Sequence, residues 1–124
     1  MTTVLVVDDE PVLRAIVRDV LVEAGYTVVE ATDGRAMLEL VERNRPDLVL
    51  MDVMMPGLDG REAYRALRGR ADLRSVPVVM MSAAVHPNGL DPTIAAFLPK
   101  PFALDQLLAT VVRFIGHPTT ADHG

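Results

Sequence analysis

Short apolar runs alternate along the chain with stretches in which apolar residues return every three or four positions. Val4-Leu5-Val6-Val7 is apolar on both faces and ends in Asp8-Asp9-Glu10, which predicts a buried strand meeting a polar edge. Pro11 suits the first turn of a helix, where its missing N–H leaves no bond unmade. Leu13, Ile16, Val17, Val20, Leu21 and Ala24 follow at helical spacing as the inner face, and Gly25 closes that helix. Tyr26-Thr27-Val28-Val29 reads as the second strand. Asp33 caps a helix from Gly34 to about Asn44, with Ala36, Met37, Leu40 and Val41 inward. After Pro46, Leu48-Val49-Leu50-Met51 is a third strand running into Asp52. Asp59 precedes Glu62 by three residues, the spacing of a capping box, and opens a third helix through Ala63, Tyr64 and Leu67. Val76 to Met81 is the fourth strand and Ala96-Phe97-Leu98 a short fifth. The last helix places Leu104, Leu107, Leu108, Val111, Val112 and Ile115 on one face, and Gly116 ends it.

Strands apolar on both faces that alternate with helices predict an α/β fold, a doubly wound five-stranded parallel sheet covered on both sides. Ligands of such sheets bind outside the carboxyl ends of the strands. Only 14 residues, Ala83 to Ala96, separate Ser82 from Phe97. Pro87, Asn88-Gly89 and Pro92 fall in that stretch and oppose a continuous helix, so the helix between the fourth and fifth strands is short or absent. Residues 1–116 make one domain, and 117–124 form a polar tail or the start of a linker.

Composition narrows the function classes. The 124 residues, 50% hydrophobic, suit one core and not two. The absence of cysteine removes disulfide scaffolds, thiol catalysis and zinc–thiolate sites. Seventeen acids against twelve bases give a net charge of −5, which disfavours direct nucleic-acid binding, and 4% aromatic content leaves few platforms for stacked bases. The amino terminus lacks a basic segment ahead of an apolar one, and no apolar run approaches the ~18 residues of a membrane span. The expectation is a cytoplasmic protein with no membrane contact.

Polar residues at strand ends carry the chemistry. Asp8 and Asp9 end the first strand, Asp52 the third and Ser82 the fourth, while Lys100 follows the fifth; a doubly wound sheet brings all five to one edge. Carboxylates held close repel one another unless a cation joins them, and a hard divalent ion such as Mg2+ is the natural partner. Lys100 and Ser82 offer a charge and a hydroxyl to phosphoryl oxygens, leaving Asp52 as a carboxylate nucleophile that would form an acyl phosphate.

These residues resemble the receiver domain of two-component response regulators, of the single-domain chemotaxis type, over about residues 3–116. The matching pieces are Val4-Leu5-Val6-Val7-Asp8-Asp9-Glu10, the run Leu50 to Gly60 around Asp52-Val53-Met54-Met55-Pro56-Gly57, Ser82-Ala83, and Lys100-Pro101-Phe102. The resemblance implies a flavodoxin-like sheet of order 2-1-3-4-5. It makes Asp52 the phosphoacceptor, with Asp9 and Asp52 ligating magnesium, Asp8 acting mainly through water, and the backbone carbonyl of Met54 completing the ligands. It places Ser82 and Phe97 as switch residues, Lys100 as the phosphoryl-binding lysine and the Lys100–Pro101 bond as cis. It also implies a sensor histidine kinase or histidine phosphotransfer protein as donor, a downstream protein target, a monomer or weak dimer, and no enzyme activity beyond the chain's own phosphorylation and dephosphorylation. The shortened stretch before Phe97 falls on the surface such domains often use for output. Ala84 is small and would leave the phosphoryl group open to water.

Milder readings stand beside these. Met51, Met54, Met55, Met80 and Met81 read as core and loop filling rather than sulfur ligands. His86, His117 and His123 lack ligand spacing and read as surface residues. Arg61, Arg65, Arg68, Arg70 and Arg74 read as a solvated face rather than a docking patch. A magnesium-dependent phosphohydrolase is disfavoured, since Val53 and Met54 follow Asp52 where such enzymes carry a second acid. The alternative function is a pseudo-receiver, a phosphorylation-independent binding module.

Overall fold

The computed structural model describes residues 2–118. The chain runs β1 (Thr3–Val7), α1 (Pro11–Glu23), β2 (Thr27–Ala31), α2 (Gly34–Arg43), β3 (Leu48–Asp52), α3 (Gly60–Arg68), β4 (Val78–Ser82), β5 (Ala96–Pro99) and α4 (Leu104–Ile115). Every strand pair is parallel and the order is β2-β1-β3-β4-β5. β3 and β4 are buried along their whole length, as the unbroken apolar runs require.

Alternation along the strands sorts the core into two layers. Leu5, Val7, Val49, Met51, Val78 and Met80 pack beneath Met37 and Val41 of α2 and Ala63, Tyr64 and Leu67 of α3. Val4, Val6, Leu48, Leu50, Val79 and Met81 pack beneath Val17 and Leu21 of α1 and Leu107 and Val111 of α4. Truncating a fully buried leucine here to alanine costs roughly 2–5 kcal/mol.

The helix starts follow their caps. Asp33 Oδ1 accepts from the Ala36 N–H at 2.8 Å, and Asp59 with Glu62 closes a complete capping box on α3. α1 instead begins on Pro11 with no side-chain cap from Glu10. Gly25, at φ +104°, makes the left-handed turn out of the α1 end. Gly60 is fixed by space: a Cβ there would lie 2.5 Å from the Asp52 carbonyl oxygen and 2.8 Å from Val53 Cα. That contact seats the start of α3 on the end of β3.

No α-helix joins β4 to β5; a 3-10 turn at Pro87–Gly89 stands in that connection. His86 Nδ1 accepts from the Asn88 N–H at 3.2 Å and caps this turn. Val85, Leu90 and Ile94 from the same connection cover the sheet beside α3. Tyr64 Oη and Thr93 Oγ1 are hydrogen-bonded at 2.7 Å and tie the connection to α3.

Several local expectations shift. β2 starts at Thr27, because Tyr26 turns its ring into the core and donates its hydroxyl to the Gly116 carbonyl at 2.7 Å. β4 starts at Val78, after Pro77, which has no N–H for the ladder. Ile16 and Leu104, expected on inner faces, are 42% and 43% exposed. Arg68 is no solvated arginine: its guanidinium lies 4.6 Å from the Tyr64 ring centroid and donates to Tyr64 Oη and the carbonyls of Leu73, Arg74 and Val76. His123 and most of the tail lie outside the described residues. Within them, no helix is long and apolar enough to cross a membrane.

Candidate functional site

The parallel register carries the polar strand ends to one edge. Asp52 is the last residue of β3 and pairs with Met81; Ser82 ends β4 and pairs with Pro99. Asp8 follows β1, held by its N–H bond to the Ala31 carbonyl at 3.1 Å, and Lys100 follows β5, its N–H on the Ser82 carbonyl at 2.9 Å. Arg14 Nη1 fixes the Asp8 carbonyl at 2.8 Å while its Nε pairs with Glu30. The Lys100–Pro101 peptide bond is cis.

On this edge a cleft of about 320 Å³ is lined by Asp9, Glu10, Asp52, Met54, Ser82 and Lys100, with Ala83 and Ala84 at its side. Lys100 Nζ sits 3.0 Å from Asp8 Oδ2, 3.0 Å from Glu10 Oε1 and 3.4 Å from Asp52 Oδ2. Asp8, Asp52 and Ser82 are buried, whereas Asp9 and Met54 are exposed at the rim.

Burial pushes the Asp52 carboxyl up from its ordinary 3.8 to about 6; Lys100 opposes that rise and the Asp8 carboxylate adds to it. Burial alone would lower the pKa of Lys100, but its hydrogen bonds to Asp8 and Glu10 hold it above the ordinary value. Ser82 Oγ accepts from the N–H groups of Ala84 and Val85 at 3.1 and 3.0 Å, which leaves its own proton free to donate. Phe97, three residues before Lys100, is half-buried and packs against the same core cluster as Val85 and Ile94.

A divalent cation fits this chemistry. Carboxylate oxygens of Asp8, Glu10 and Asp52 lie within 4.8 Å of one another, a hard all-oxygen set, and Asp52, raised mainly by burial and further by the Asp8 carboxylate, would gain from a cation there. Asp9 borders the same cleft but is not one of these three. Glu10 is the site residue that sequence reasoning passed over. The signal was its place between a strand end and the Pro11 helix start, which keeps it on the working edge.

Comparison with known proteins points one way. The family model described as the response regulator receiver domain matches residues 4–112. Response regulator MprA of Mycolicibacterium vanbaalenii is 43% identical over 125 residues, covering 98% of this chain and 53% of that protein. MprA of Mycobacterium tuberculosis is 43% identical over 110 residues, covering 86% and 47%. The chain therefore spans about half the length of these relatives. Among solved structures, Vibrio cholerae chemotaxis protein CheY4 superposes with a TM-score of 0.86 at 34% identity, covering 92% of this chain and 98% of that one. The receiver domain of sensor histidine kinase PA1611 from Pseudomonas aeruginosa, with a magnesium ion coordinated in its active site cleft, gives 0.85 at 33% identity, covering 93% and 98%.

Proposed function

Since this chain belongs to the response regulator receiver domain family, we propose that it takes a phosphoryl group onto Asp52 from a phosphohistidine of a sensor kinase or phosphotransfer protein, and signals by a change of shape to a protein partner. The observation that carries this reading is the buried Asp52 carboxylate at a strand end, with Lys100 Nζ 3.4 Å away and the Ser82 hydroxyl in the same cleft. The reading treats residues 1–116 as the receiver, and assigns no nucleic-acid or membrane contact to it.

With a pKa near 6, Asp52 is mostly ionised at neutral pH and keeps its nucleophilic oxygen. That oxygen attacks phosphorus; the new O–P bond forms as the donor's P–N bond breaks and its electron pair stays with the imidazole. Lys100 leaves the carboxylates for a phosphoryl oxygen, and the free Ser82 proton donates to another. A magnesium ion held by Asp8, Asp9, Asp52 and the Met54 carbonyl would supply the charge that neutralises the phosphoryl oxygens. Hydrolysis later returns Asp52 to its carboxylate, with exposed Ala84 leaving water a path.

The output follows from the same hydroxyl. Drawing Ser82 toward the phosphoryl group breaks its bonds to the Ala84 and Val85 N–H groups, and Val85 packs in the same cluster as Phe97. The 83–95 connection and the Phe97 ring move together, favouring one of two pre-existing arrangements.

Adding beryllium fluoride and magnesium as a phosphoryl mimic, followed by amide NMR, tests this. Wild type should show shifts at Ser82 to Val85 and at Phe97, absent in Asp52→Asn. Shifts confined to the cleft rim would remove the switch, and a silent spectrum would favour the phosphorylation-independent binding module.

A further inference from the structure

Lys100 is the chain's single lysine, and its ammonium has three protons for three carboxylates: Asp8 Oδ2, Glu10 Oε1 and Asp52 Oδ2 at 3.0, 3.0 and 3.4 Å. The three acceptors are not equivalent. Asp8 and Asp52 side chains are 1% and 7% exposed, whereas Glu10 is 61% exposed. The other Asp8 oxygen is already committed, accepting the Glu10 N–H at 2.9 Å. Lys100 and an incoming divalent cation therefore compete for the same two buried carboxylates, and like charge drives the ammonium off them.

We propose that Glu10 is a positioning residue for Lys100, retaining its ammonium at the mouth of the cleft when a cation takes Asp8 and Asp52. This rests on the reading of the cleft as a cation and phosphoryl site. Several features fit a holding role. Glu10 Oε1 is as near to Lys100 Nζ as Asp8 is. The Glu10 backbone is fixed between the Asp8 carboxylate and Pro11, the first residue of α1. Its exposure lets the pair form and part without burying a lone charge. Asp9, the neighbouring acid, has no ion pair with Lys100 among the described residues.

A ligand role and a holding role both predict that losing Glu10 weakens cation binding, so a double-mutant cycle must separate them. Mg2+ affinity is measured by calorimetry on wild type, Glu10→Gln, Lys100→Met and the double variant, with amide spectra to check folding; Lys100→Gln replaces Lys100→Met if the latter is unfolded. A holding role predicts that Glu10→Gln weakens Mg2+ binding roughly five- to tenfold when Lys100 is present and less than about twofold when it is absent. Equal weakening in both backgrounds overturns the proposal and makes Glu10 a ligand or a general source of field. No weakening in either overturns it as well.

Selective 13C,15N-lysine labelling gives one lysine signal, and so a readout independent of the titration. The Lys100 Cε shift with Mg2+ should differ between wild type and Glu10→Gln, with Glu10→Asp restoring part of the wild-type value; identical shifts overturn the holding role. A wild type that binds Mg2+ and accepts phosphate while Glu10→Gln behaves identically removes only this inference. A wild type that does neither removes the underlying reading too.

Discussion

Replacing Asp52 by asparagine should make the metal-free protein more stable at pH 8 and leave it little changed at pH 4. In the folded chain the Asp52 carboxyl titrates near 6, against 3.8 when unperturbed. Between those values the folded state binds the proton more tightly, so stability is fullest below pH 3.8 and is lost as pH rises through about 6. At about 1.4 kcal/mol per pH unit, the difference corresponds to an upper value of about 3 kcal/mol lost by neutral pH. Asparagine keeps the shape without the buried charge, and Lys100 loses a partner at 3.4 Å, so a gain of about 1–3 kcal/mol is expected at pH 8. Urea unfolding of both proteins in EDTA, at pH 8 and pH 4, measures it. A gain of equal size at both pH values, or a loss at pH 8, would refute burial of this carboxylate as the source of the pH-dependent loss of stability. Added magnesium should narrow the gap at pH 8 by stabilising wild type more than the variant.

Three other outcomes follow from local packing. Gly60→Ala should cost about 3 kcal/mol or more in urea unfolding, because its Cβ meets the Asp52 carbonyl and Val53 Cα, both backbone; a cost under about 1 kcal/mol would mean that the α3 start is not seated on β3 as described. Tyr64→Phe removes hydrogen bonds at 2.7 Å to Thr93 and 2.8 Å to Arg68, and should cost about 1–2 kcal/mol, with faster amide exchange at residues 90–95 than elsewhere; uniform acceleration would count against a local tether. Ala84→Arg should slow loss of the Asp52 phosphoryl group roughly severalfold by excluding water; an unchanged rate would contradict the open path beside Ala84.

The layered sheet was legible because its strands are apolar on both faces and its helices repeat at three and four, patterns with few alternative readings. The missing helix was legible too, since Pro87 and Gly89 in a 14-residue span leave no room for one. Element ends were less so. Tyr26 is apolar enough to extend a strand on paper, yet its ring and hydroxyl serve the junction with α4. Ile16 and Leu104 keep the helical spacing but lie at the borders of the apolar stripes, where neighbouring elements stop short of covering them. At the site, strand ends locate Asp8, Asp52, Ser82 and Lys100 on one edge without knowledge of side-chain directions. Glu10 and Arg68 were hidden for the same reason: a long charged side chain reads as solvated until its rotamer is known. Glu10 reaches back over the cleft to Lys100, and Arg68 turns along α3 onto Tyr64 and three carbonyls.

Intact mass after incubation with acetyl phosphate and magnesium tests the central claim most directly. Wild type should gain the mass of one phosphoryl group, a gain absent without magnesium and absent in Asp52→Asn. An unmodified mass from a folded, magnesium-binding protein, or a phosphoryl group that persists in Asp52→Asn, would contradict the account.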